Sequence, residues 1–275
     1  MSVRKHPKRQ AQAGISRAAE SGGEFVFGVN AVMTRLSQGA GDIRSLRVAR
    51  GDSGRVGKLI DAARALGIPV ETVDSRKLDQ MTGVNHQGVA LEVTPPRMRG
   101  MEVIDDLLAA MDGNALFLIL DGVQDPGNLG AIIRSAATLG VDAIIVPQDN
   151  SAPLNAAAIK IASGGASLVP VVQVVNLARA MEVLKAAGVW TVGTVLETET
   201  TLEQTDLTGN LALVMGSEER GIREKTRRHC DFLATIPMPQ PALGFNVSVA
   251  TGICLYETQR QRAAVNRRAT ENKNA

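Results

Sequence analysis

The sequence predicts an α/β protein of two domains, the second of which is built on a parallel sheet. The length of 275 residues exceeds one average domain, and 44% hydrophobic with 21% charged residues is ordinary for a globular protein. Short apolar runs alternate with segments of helical periodicity along most of the chain. The segment TPPRMRG at residues 94–100 interrupts this alternation, and its two prolines favour an extended linker.

The first part of the chain predicts a basic tail followed by a small α/β domain. Residues 1–23 lack hydrophobic periodicity and carry only Lys and Arg charges before Glu20, so we expect a disordered basic tail. The domain itself spans residues 24–94, and residues 95–102 form the linker. Its predicted strands are residues 25–27, 46–49, 70–73 and 89–93. Its predicted helices are residues 30–37, 56–66 and 76–81.

The second domain, residues 103–262, repeats the alternation over a longer stretch. Its predicted strands are residues 116–120, 143–146, 169–174, 190–194, 211–215 and 232–236. Its predicted helices are residues 103–111, 128–139, 154–163, 177–187 and 247–260. Because the strands are largely apolar and separated by helices, they predict a parallel sheet covered on both faces. Residues 263–275 predict a polar tail.

Composition argues against several classes of function. A net charge of +2 gives little overall attraction for nucleic acid, and 3% aromatic residues are too few for a platform that stacks single-stranded bases. A bound nucleic acid would be held by phosphate contacts, loops and shape. Cys230 and Cys254 lack metal-ligand spacing, which predicts reduced thiols in a cytoplasmic protein and no metal. No apolar run approaches the length of a membrane span, so we expect no membrane partner.

Three loops of the second domain follow predicted strands, at the edge of a parallel sheet where ligands bind. The first has the sequence DGVQDPGNLG at residues 121–130, which places Asn128 at the predicted N-cap of a helix that also carries Arg134. The second has the sequence VMGSEERGI. In it, Gly216 ends a buried strand and lets the backbone approach a ligand closely, while Glu218 stands at the mouth of the sheet.

The third loop has the sequence IPMPQPALGFNVSVA at residues 236–250. Its three prolines fix an extended conformation, and Asn246 or Ser248 can cap the last helix. Each of the three loops, taken alone, is also explained by an ordinary turn or capped helix. Their order and their positions at strand ends make the combination specific.

Together the three loops resemble the signature motifs of the SpoU branch of the SPOUT methyltransferases, and the resemblance runs from about Leu116 to the end of the last helix. In the first domain, FGVNAV at residues 27–32 and NHQGV at residues 85–89 look like the substrate-recognition domain of the RlmB-like 23S rRNA (guanosine-2′-O)-methyltransferases. The resemblance implies a SPOUT fold with a deep trefoil knot and S-adenosylmethionine as cofactor. It also implies an RNA partner, 23S rRNA or a ribosome precursor, and a homodimer formed through the knotted domain.

The resemblance also implies which residues form the site. The catalytic group would be Asn128, Arg134, Glu218 and Asn246. The cofactor would be bound by Gly216, Ile236 and Phe245, largely through the backbone, with Thr194 as a further candidate. The RNA-binding candidates of the first domain are Asn30, Arg50 and His86, although a packed loop histidine is an equally good interpretation of His86.

Two residues of the implied site need comment. The family proposes the arginine as the activator of the hydroxyl, but an Arg stays protonated. We therefore prefer a role for Arg134 in clamping the phosphate beside the target ribose and stabilising the developing alkoxide. Glu218 would orient Arg134 or serve the substrate, and the two asparagines would hold the loops and the hydroxyl in register. The family usually has Ser-Leu-Asn in the third motif, where this chain has Gly244, Phe245 and Asn246.

The expected activity is S-adenosylmethionine-dependent 2′-O-ribose methylation of RNA, with a guanosine of 23S rRNA as the preferred substrate. One alternative keeps this chemistry on tRNA or on an rRNA adenosine. The other alternative is an RNA-binding assembly factor that keeps the fold and has no activity. The four residues of the implied catalytic group argue against it.

Overall fold

The computed structural model describes residues 15–17, 24–37, 39–50, 54–81, 86–241 and 243–273. The chain divides into two compact units, Met1–Pro95 and Pro96–Ala275, at the two prolines of the predicted linker. None of the helices within the described residues is long and apolar enough to cross a membrane.

The first unit is a five-stranded sheet with helices. Its elements are β1 (Ile15–Arg17), β2 (Glu24–Phe27), α1 (Val29–Leu36), β3 (Ile43–Ala49), α2 (Arg55–Ala65), β4 (Val70–Val73), α3 (Ser75–Met81) and β5 (Val89–Val93). The strand order is β1-β2-β5-β3-β4, in which only β3 and β4 pair in parallel. Leu46 of β3 and Leu91 of β5 pack with Leu59 of α2 in its core.

The predicted disordered tail of residues 1–23 is wrong in one segment. Strand β1 pairs antiparallel with β2, with Ser16 opposite Phe25. Short strands of this kind carry little hydrophobic periodicity of their own and are fixed by the strand beside them, which explains why the sequence did not indicate one. The rest of the predicted tail lies outside the described residues.

The second unit carries the parallel sheet. Its strands are β6 (Leu116–Asp121), β7 (Ala143–Pro147), β8 (Val171–Val174), β9 (Trp190–Thr194), β10 (Leu211–Gly216) and β11 (Phe232–Ala234). Its helices are α4 (Glu102–Ala109), α5 (Pro126–Thr138), α6 (Ala156–Ala162), α7 (Leu177–Ala186), α8 (Glu224–Arg227) and α9 (Val247–Lys273). The strand order is β11-β9-β10-β6-β7-β8, and all five pairings are parallel, which confirms the predicted sheet.

The alternation of side chains along β6 shows why helices cover both faces of this sheet. All six residues of the strand are buried. Leu118 packs into a cluster with Leu129 of α5 and Leu255 of α9, whereas Ile119 packs on the opposite face with Met181 of α7. A strand buried on both faces has no polar side to show, and this gives the continuous apolar run in the sequence.

Several helix boundaries differ from the prediction, and one helix was not predicted. Helix α5 begins at Pro126, two residues before the predicted start, because the carboxylate of Asp125 caps it and accepts a hydrogen bond from the backbone N–H of Asn128 at 3.0 Å. Helix α9 continues to Lys273, so most of the predicted polar tail at residues 263–275 is helical. Helix α8 (Glu224–Arg227) follows the second loop and was not predicted. The trefoil knot stays a prediction.

Candidate active site

Strands β6 and β10 are neighbours, and their carboxyl ends form the floor of the site. Asp121 lies opposite Gly216 in the parallel register, so the first and second loops start side by side. The chain order also reverses direction here, because β7 and β8 lie on one side of β6 while β10, β9 and β11 lie on the other. Such a switch point leaves a crevice at the carboxyl ends of parallel strands.

A cavity of about 830 Å³ opens at this edge of the sheet. It is lined by all four residues that the sequence analysis assigned to the cofactor, namely Thr194, Gly216, Ile236 and Phe245. Glu218 and Asn246 of the predicted catalytic group also line it. The second and third loops therefore meet around one cavity.

Gly216 is required for a reason other than the one the sequence suggested. A Cβ atom at this position would overlap the backbone of Gly221 and Ile222, which returns past the end of β10. Ser217 and Gly221 exchange two backbone hydrogen bonds, of 3.1 and 2.9 Å, that close this return. The glycine thus lets the loop fold back on its own strand, and this return shapes one wall of the cavity.

One carboxylate oxygen of Glu218 joins the three loops. The Oε1 atom accepts hydrogen bonds from Nδ2 of Asn128 at 3.2 Å and from the backbone N–H of Val247 at 3.2 Å. It also accepts one from Nδ2 of Asn246. Asn246 Nδ2 further donates to Oδ1 of Asn128 at 3.0 Å. Three of the four predicted catalytic residues are therefore in direct contact.

The hydrogen-bonding capacity of these groups indicates which of them is available to a ligand. Both protons of Asn246 Nδ2 have acceptors, and its Oδ1 accepts from the backbone N–H of Ser248 at 3.0 Å and from Ser248 Oγ at 2.6 Å. Asn246 is thus fully occupied and caps α9. By contrast, Oε2 of Glu218 has no hydrogen-bond partner within the described part of the chain, and the residue is exposed.

Two acids at this edge, Glu218 and Asp125, lie at helix N-termini. Glu218 accepts from Val247, the first residue of the 27-residue helix α9, and Asp125 caps α5. The partial positive charge of a helix N-terminus stabilises a carboxylate there. The two helix starts and the β10 loop therefore hold one another through charge as well as through hydrogen bonds.

Arg134, the fourth predicted catalytic residue, does not contact Asn128, Glu218 or Asn246 of its own chain. It lies further along α5 than Asn128, is exposed and does not line the cavity. Its guanidinium has no hydrogen-bond or ion-pair partner among the described residues. Glu218 contacts the two asparagines and not Arg134, so the suggested orientation of Arg134 by Glu218 is absent within one chain.

The cavity lining fits S-adenosylmethionine. This molecule combines a flat purine with an amino-acid end that carries both an ammonium and a carboxylate. For the purine, the lining offers the apolar side chains of Ile236, Leu243 and Phe245. For the charged end it offers acids and arginines, namely Glu197, Glu219 and Arg220 of the adjoining loops and Arg227 of α8. Within the described residues, no three His, Cys, Asp or Glu side chains converge as a metal site requires.

Two cofactor candidates are constrained by their own chain. The hydroxyl of Thr194 donates to the carbonyl of Val214 at 3.1 Å, so the side chain is occupied and its backbone is what it can offer. Gly244, which replaces the serine usual in the family, has a φ of 60°. That left-handed conformation favours glycine, which gives the departure from the family pattern a backbone reason.

The RNA-binding candidates of the first unit differ in their surroundings. His86 is engaged on both ring nitrogens, with Nε2 2.9 Å from Asp79 and Nδ1 accepting from the backbone N–H of Gly88 at 3.0 Å. This supports its interpretation as a packed loop histidine. Asn30 and Arg50 are exposed, and Asn30 lines a smaller cavity of about 260 Å³ together with Arg55.

An ion pair that the sequence analysis did not identify lies beneath the site. Asp121 is fully buried at the end of β6, and both of its carboxylate oxygens are bound by Arg223, which follows the second loop. A signal for it was present in the sequence. Asp121 ends a wholly apolar strand, and an acid in that position needs a partner. The sequence did not indicate which basic residue it would be.

Comparison with known proteins identifies the family of the chain. A family model described as the SpoU rRNA Methylase family matches residues 115–256, and one described as RNA 2′-O ribose methyltransferase substrate binding matches residues 25–99. The 23S rRNA (guanosine-2′-O-)-methyltransferase RlmB of Pseudomonas aeruginosa is 47% identical over 240 residues, which cover 87% of this chain and 97% of that protein. The RlmB of Escherichia coli (strain K12) is 44% identical over 242 residues, 87% of this chain and 99% of that protein.

Among solved structures, the SpoU methyltransferase AviRb from Streptomyces viridochromogenes in complex with AdoMet has a TM-score of 0.67 at 25% identity. The match covers 89% of this chain and 92% of that one. These findings confirm the predicted SPOUT-type fold class and the predicted class of enzyme, an RNA 2′-O-methyltransferase that uses S-adenosylmethionine. The family model spans more than half of the chain, and the chain therefore belongs to the SpoU rRNA methylase family.

Proposed function

We propose that this protein methylates the 2′-hydroxyl of a guanosine in 23S rRNA, in the cytoplasm and as a homodimer. The substrate follows from the relatives that share 44–47% of its residues and bear that activity in their names. The observation in the molecule that carries the proposal is Glu218 at the cavity, whose Oε2 has no hydrogen-bond partner among the described residues while Oε1 is fixed by three donors.

When bound, S-adenosylmethionine supplies a methyl group on a sulfonium, which is already a strong electrophile. The protein then has to orient the ribose hydroxyl and raise its electron density. We assign the first task to Glu218, whose Oε2 accepts a hydrogen bond from the 2′-hydroxyl and takes up its proton on methyl transfer. Asn128 and Asn246 act as positioning residues, because their amides hold Oε1 and so fix the plane of the carboxylate. Orienting groups of this kind lower the activation barrier, because the reacting atoms are already aligned when the substrate is bound.

Arg134 is assigned to the RNA phosphate and to the charge that develops on the 2′-oxygen. An arginine binds a phosphate with two parallel hydrogen bonds and stays charged throughout. Since Arg134 is exposed and does not line the cavity of its own chain, we propose that it completes the site of the partner subunit in the homodimer. An exposed face of α9 with Val249 (49% exposed) and Tyr256 (63% exposed) offers apolar surface for such an interface.

The first unit is proposed to select the RNA. It matches the substrate-binding model over residues 25–99, and Asn30, Arg50 and Arg55 are exposed on it. Arg55 and Asn30 line the 260 Å³ cavity, which offers a cation and an amide to an RNA backbone. His86 is not needed as an RNA contact in this proposal.

The test is mass-spectrometric mapping of ribose methylation in RNA from a strain that lacks the protein. We expect one 2′-O-methylguanosine of 23S rRNA to disappear and to return when the wild-type gene is supplied. Loss of a tRNA mark or of a methyladenosine instead would overturn the substrate and favour the first alternative. Unchanged methylation throughout, together with no uptake of S-adenosylmethionine in calorimetry, would favour an assembly factor without activity.

A further inference from the structure

Asp121 is a fully buried acid in the middle of the parallel sheet. It ends β6, its side chain is 0% exposed, and it lies opposite Gly216 of β10. A carboxylate in such a place is strongly unfavourable unless it is paired and hydrogen-bonded. Its partners therefore indicate what the chain uses it for.

Arg223 supplies all of the hydrogen bonds that Asp121 receives within the described residues. The backbone N–H of Arg223 donates to Oδ2 at 2.9 Å, and Nε donates to Oδ1 at 2.5 Å. The Nη2 atom lies 2.5 Å from the same Oδ1. The guanidinium side chain is 46% exposed, so the pair has one buried member and one that reaches the surface.

This ion pair closes the loop that carries Glu218. Residues 217–222 leave the sheet at Gly216 and return at Arg223, and both ends are thereby fixed to the same residue, Asp121. Between the ends, Ser217 and Gly221 bind each other through two backbone hydrogen bonds. The tip of the loop is also held through Oε1 of Glu218, whereas the ion pair fixes the return of the loop to the sheet.

We propose that the Asp121–Arg223 ion pair positions Glu218 for methyl transfer and shapes the cofactor cavity. Both residues act as positioning residues, since neither lines the cavity. Ile222, adjacent to Arg223, does line it, so a displaced return would alter cofactor binding as well as the orientation of Glu218. This inference rests on the proposed role of Glu218 in the reaction.

The experiment compares Arg223→Ala, Arg223→Lys and the control Arg228→Ala in the full-length protein. Arg228 is 76% exposed, forms a surface ion pair with Glu224 four residues before it and does not line the cavity. We expect kcat to fall about 10- to 100-fold in Arg223→Ala, as for a catalytic group displaced by about 1 Å. Both variants keep the backbone N–H that donates to Asp121, and Arg223→Lys also keeps the charge, so we expect a smaller loss in Arg223→Lys and no change in Arg228→Ala.

A double-mutant cycle distinguishes positioning from general destabilisation. If Arg223 acts through Glu218, adding Arg223→Ala to Glu218→Gln should lower kcat by less than about threefold, because the group that it positions is already gone. Losses that multiply would overturn the proposal, as would full activity in Arg223→Ala. Should Arg223→Ala not fold, as judged by circular dichroism and thermal unfolding, the same cycle is run with Arg223→Lys.

Titration with S-adenosylmethionine by calorimetry separates this inference from the proposed substrate, because it needs no RNA. We expect Kd to rise about three- to tenfold in Arg223→Ala and to stay unchanged in Arg228→Ala, since displacing a cavity wall removes binding contacts. A wild-type protein that leaves 23S rRNA unmethylated but binds the cofactor would refute the proposed substrate alone. An unchanged Kd in Arg223→Ala would then refute the ion pair's role.

Discussion

Asn246 donates a hydrogen bond from its side-chain amide to Oδ1 of Asn128 at 3.0 Å, across 118 residues of sequence. Asn246 caps α9, and Asn128 lies in the first turn of α5. The bond therefore joins the starts of two helices, and both side chains also hold Oε1 of Glu218. A substitution at any one of the three should disturb the other two.

Glu218→Gln should lower kcat by at least about 10²-fold while the protein stays folded. The substitution keeps the size of the side chain, but an amide oxygen is a weaker acceptor for the donors on Oε1 and for a ribose hydroxyl. Single-turnover methylation of 23S rRNA measures the chemical step directly. Glu224→Gln is the control, since that acid is exposed and pairs only with Arg228 on the surface. Equal rates for the two variants would contradict the role of Glu218.

Substitutions of Asn246 can separate its bridging role from its capping role. Asn246→Ser keeps an oxygen that can accept from the backbone N–H of Ser248, but it is too short to bridge Asn128 and Glu218. Asn246→Ala loses both functions. We expect both variants to lose activity about 10²-fold, since the carboxylate of Glu218 loses one of its three donors and Asn128 loses its bond to Asn246.

The stabilities of the same two variants should differ. Loss of an N-cap costs about 1 kcal/mol, so Asn246→Ala should unfold at a lower urea concentration than Asn246→Ser. If Asn246→Ser had nearly wild-type activity and only the less stable Asn246→Ala were inactive, the role of Asn246 would be limited to capping α9.

Gly216→Ala should abolish cofactor binding. A Cβ atom would overlap the backbone of Gly221 and Ile222, so the return of the second loop must move away from β10. Calorimetry with S-adenosylmethionine should show no measurable uptake. The matched control is Gly57→Ala in α2, where a Cβ meets nothing within 4 Å. That change should leave binding intact and stabilise the helix by about 0.5–1 kcal/mol. Normal binding in Gly216→Ala would mean that the loop can shift without cost.

The proximity of Glu218 and Asn246 could be predicted from the sequence, because both follow strands and the carboxyl ends of parallel strands share one edge. It was less informative about local geometry. Asn128 is a good N-cap residue, but Asp125 before Pro126 is an equally good one, and it is the actual cap. Periodicity cannot distinguish two adjacent candidates of this kind.

Residues that depend on strand register could not be predicted. Arg223 stands in a charged stretch and resembles any surface arginine, and only the alignment of Gly216 with Asp121 brings it onto a buried acid. Thr194 was a candidate for cofactor binding, and its hydroxyl donates to the carbonyl of Val214 on the neighbouring strand. In both cases the partner lies on another strand, and a single sequence holds no record of that pairing.

Asp231 should make stability depend on acid pH. Burial raises the pKa of this carboxyl, but hydrogen bonds from Lys185 and Thr191 outweigh burial and hold the pKa below its ordinary value of 3.8. A lowered pKa in the folded state stabilises the protein at pH values above the unfolded pKa, and that contribution disappears as pH falls through the folded pKa.

Asp231→Asn should therefore be less stable than wild type at pH 7, by about 2 kcal/mol for the lost charged hydrogen bonds. The difference should shrink as the pH falls below about 4, near the pKa of an unfolded Asp. Urea unfolding at several pH values measures this. Asp106→Asn, at an exposed acid of α4, is the control and should show no such convergence. A difference that stayed constant with pH would contradict the assignment.

Arg134→Ala should abolish methyl transfer and leave the affinity for S-adenosylmethionine unchanged, because Arg134 does not line the cavity. If Arg134 completes the partner's site, as proposed, the Arg134→Ala and Glu218→Gln proteins should complement each other. In a mixed dimer, one of the two sites takes Glu218 from the first chain and Arg134 from the second, and this site is intact. Co-expressing the two variants with different affinity tags and purifying the mixed dimer should restore about half of the wild-type rate, since one of two sites works. An inactive mixed dimer would place both residues in the same chain's site and would require Arg134 to reach Glu218 by a movement of α5.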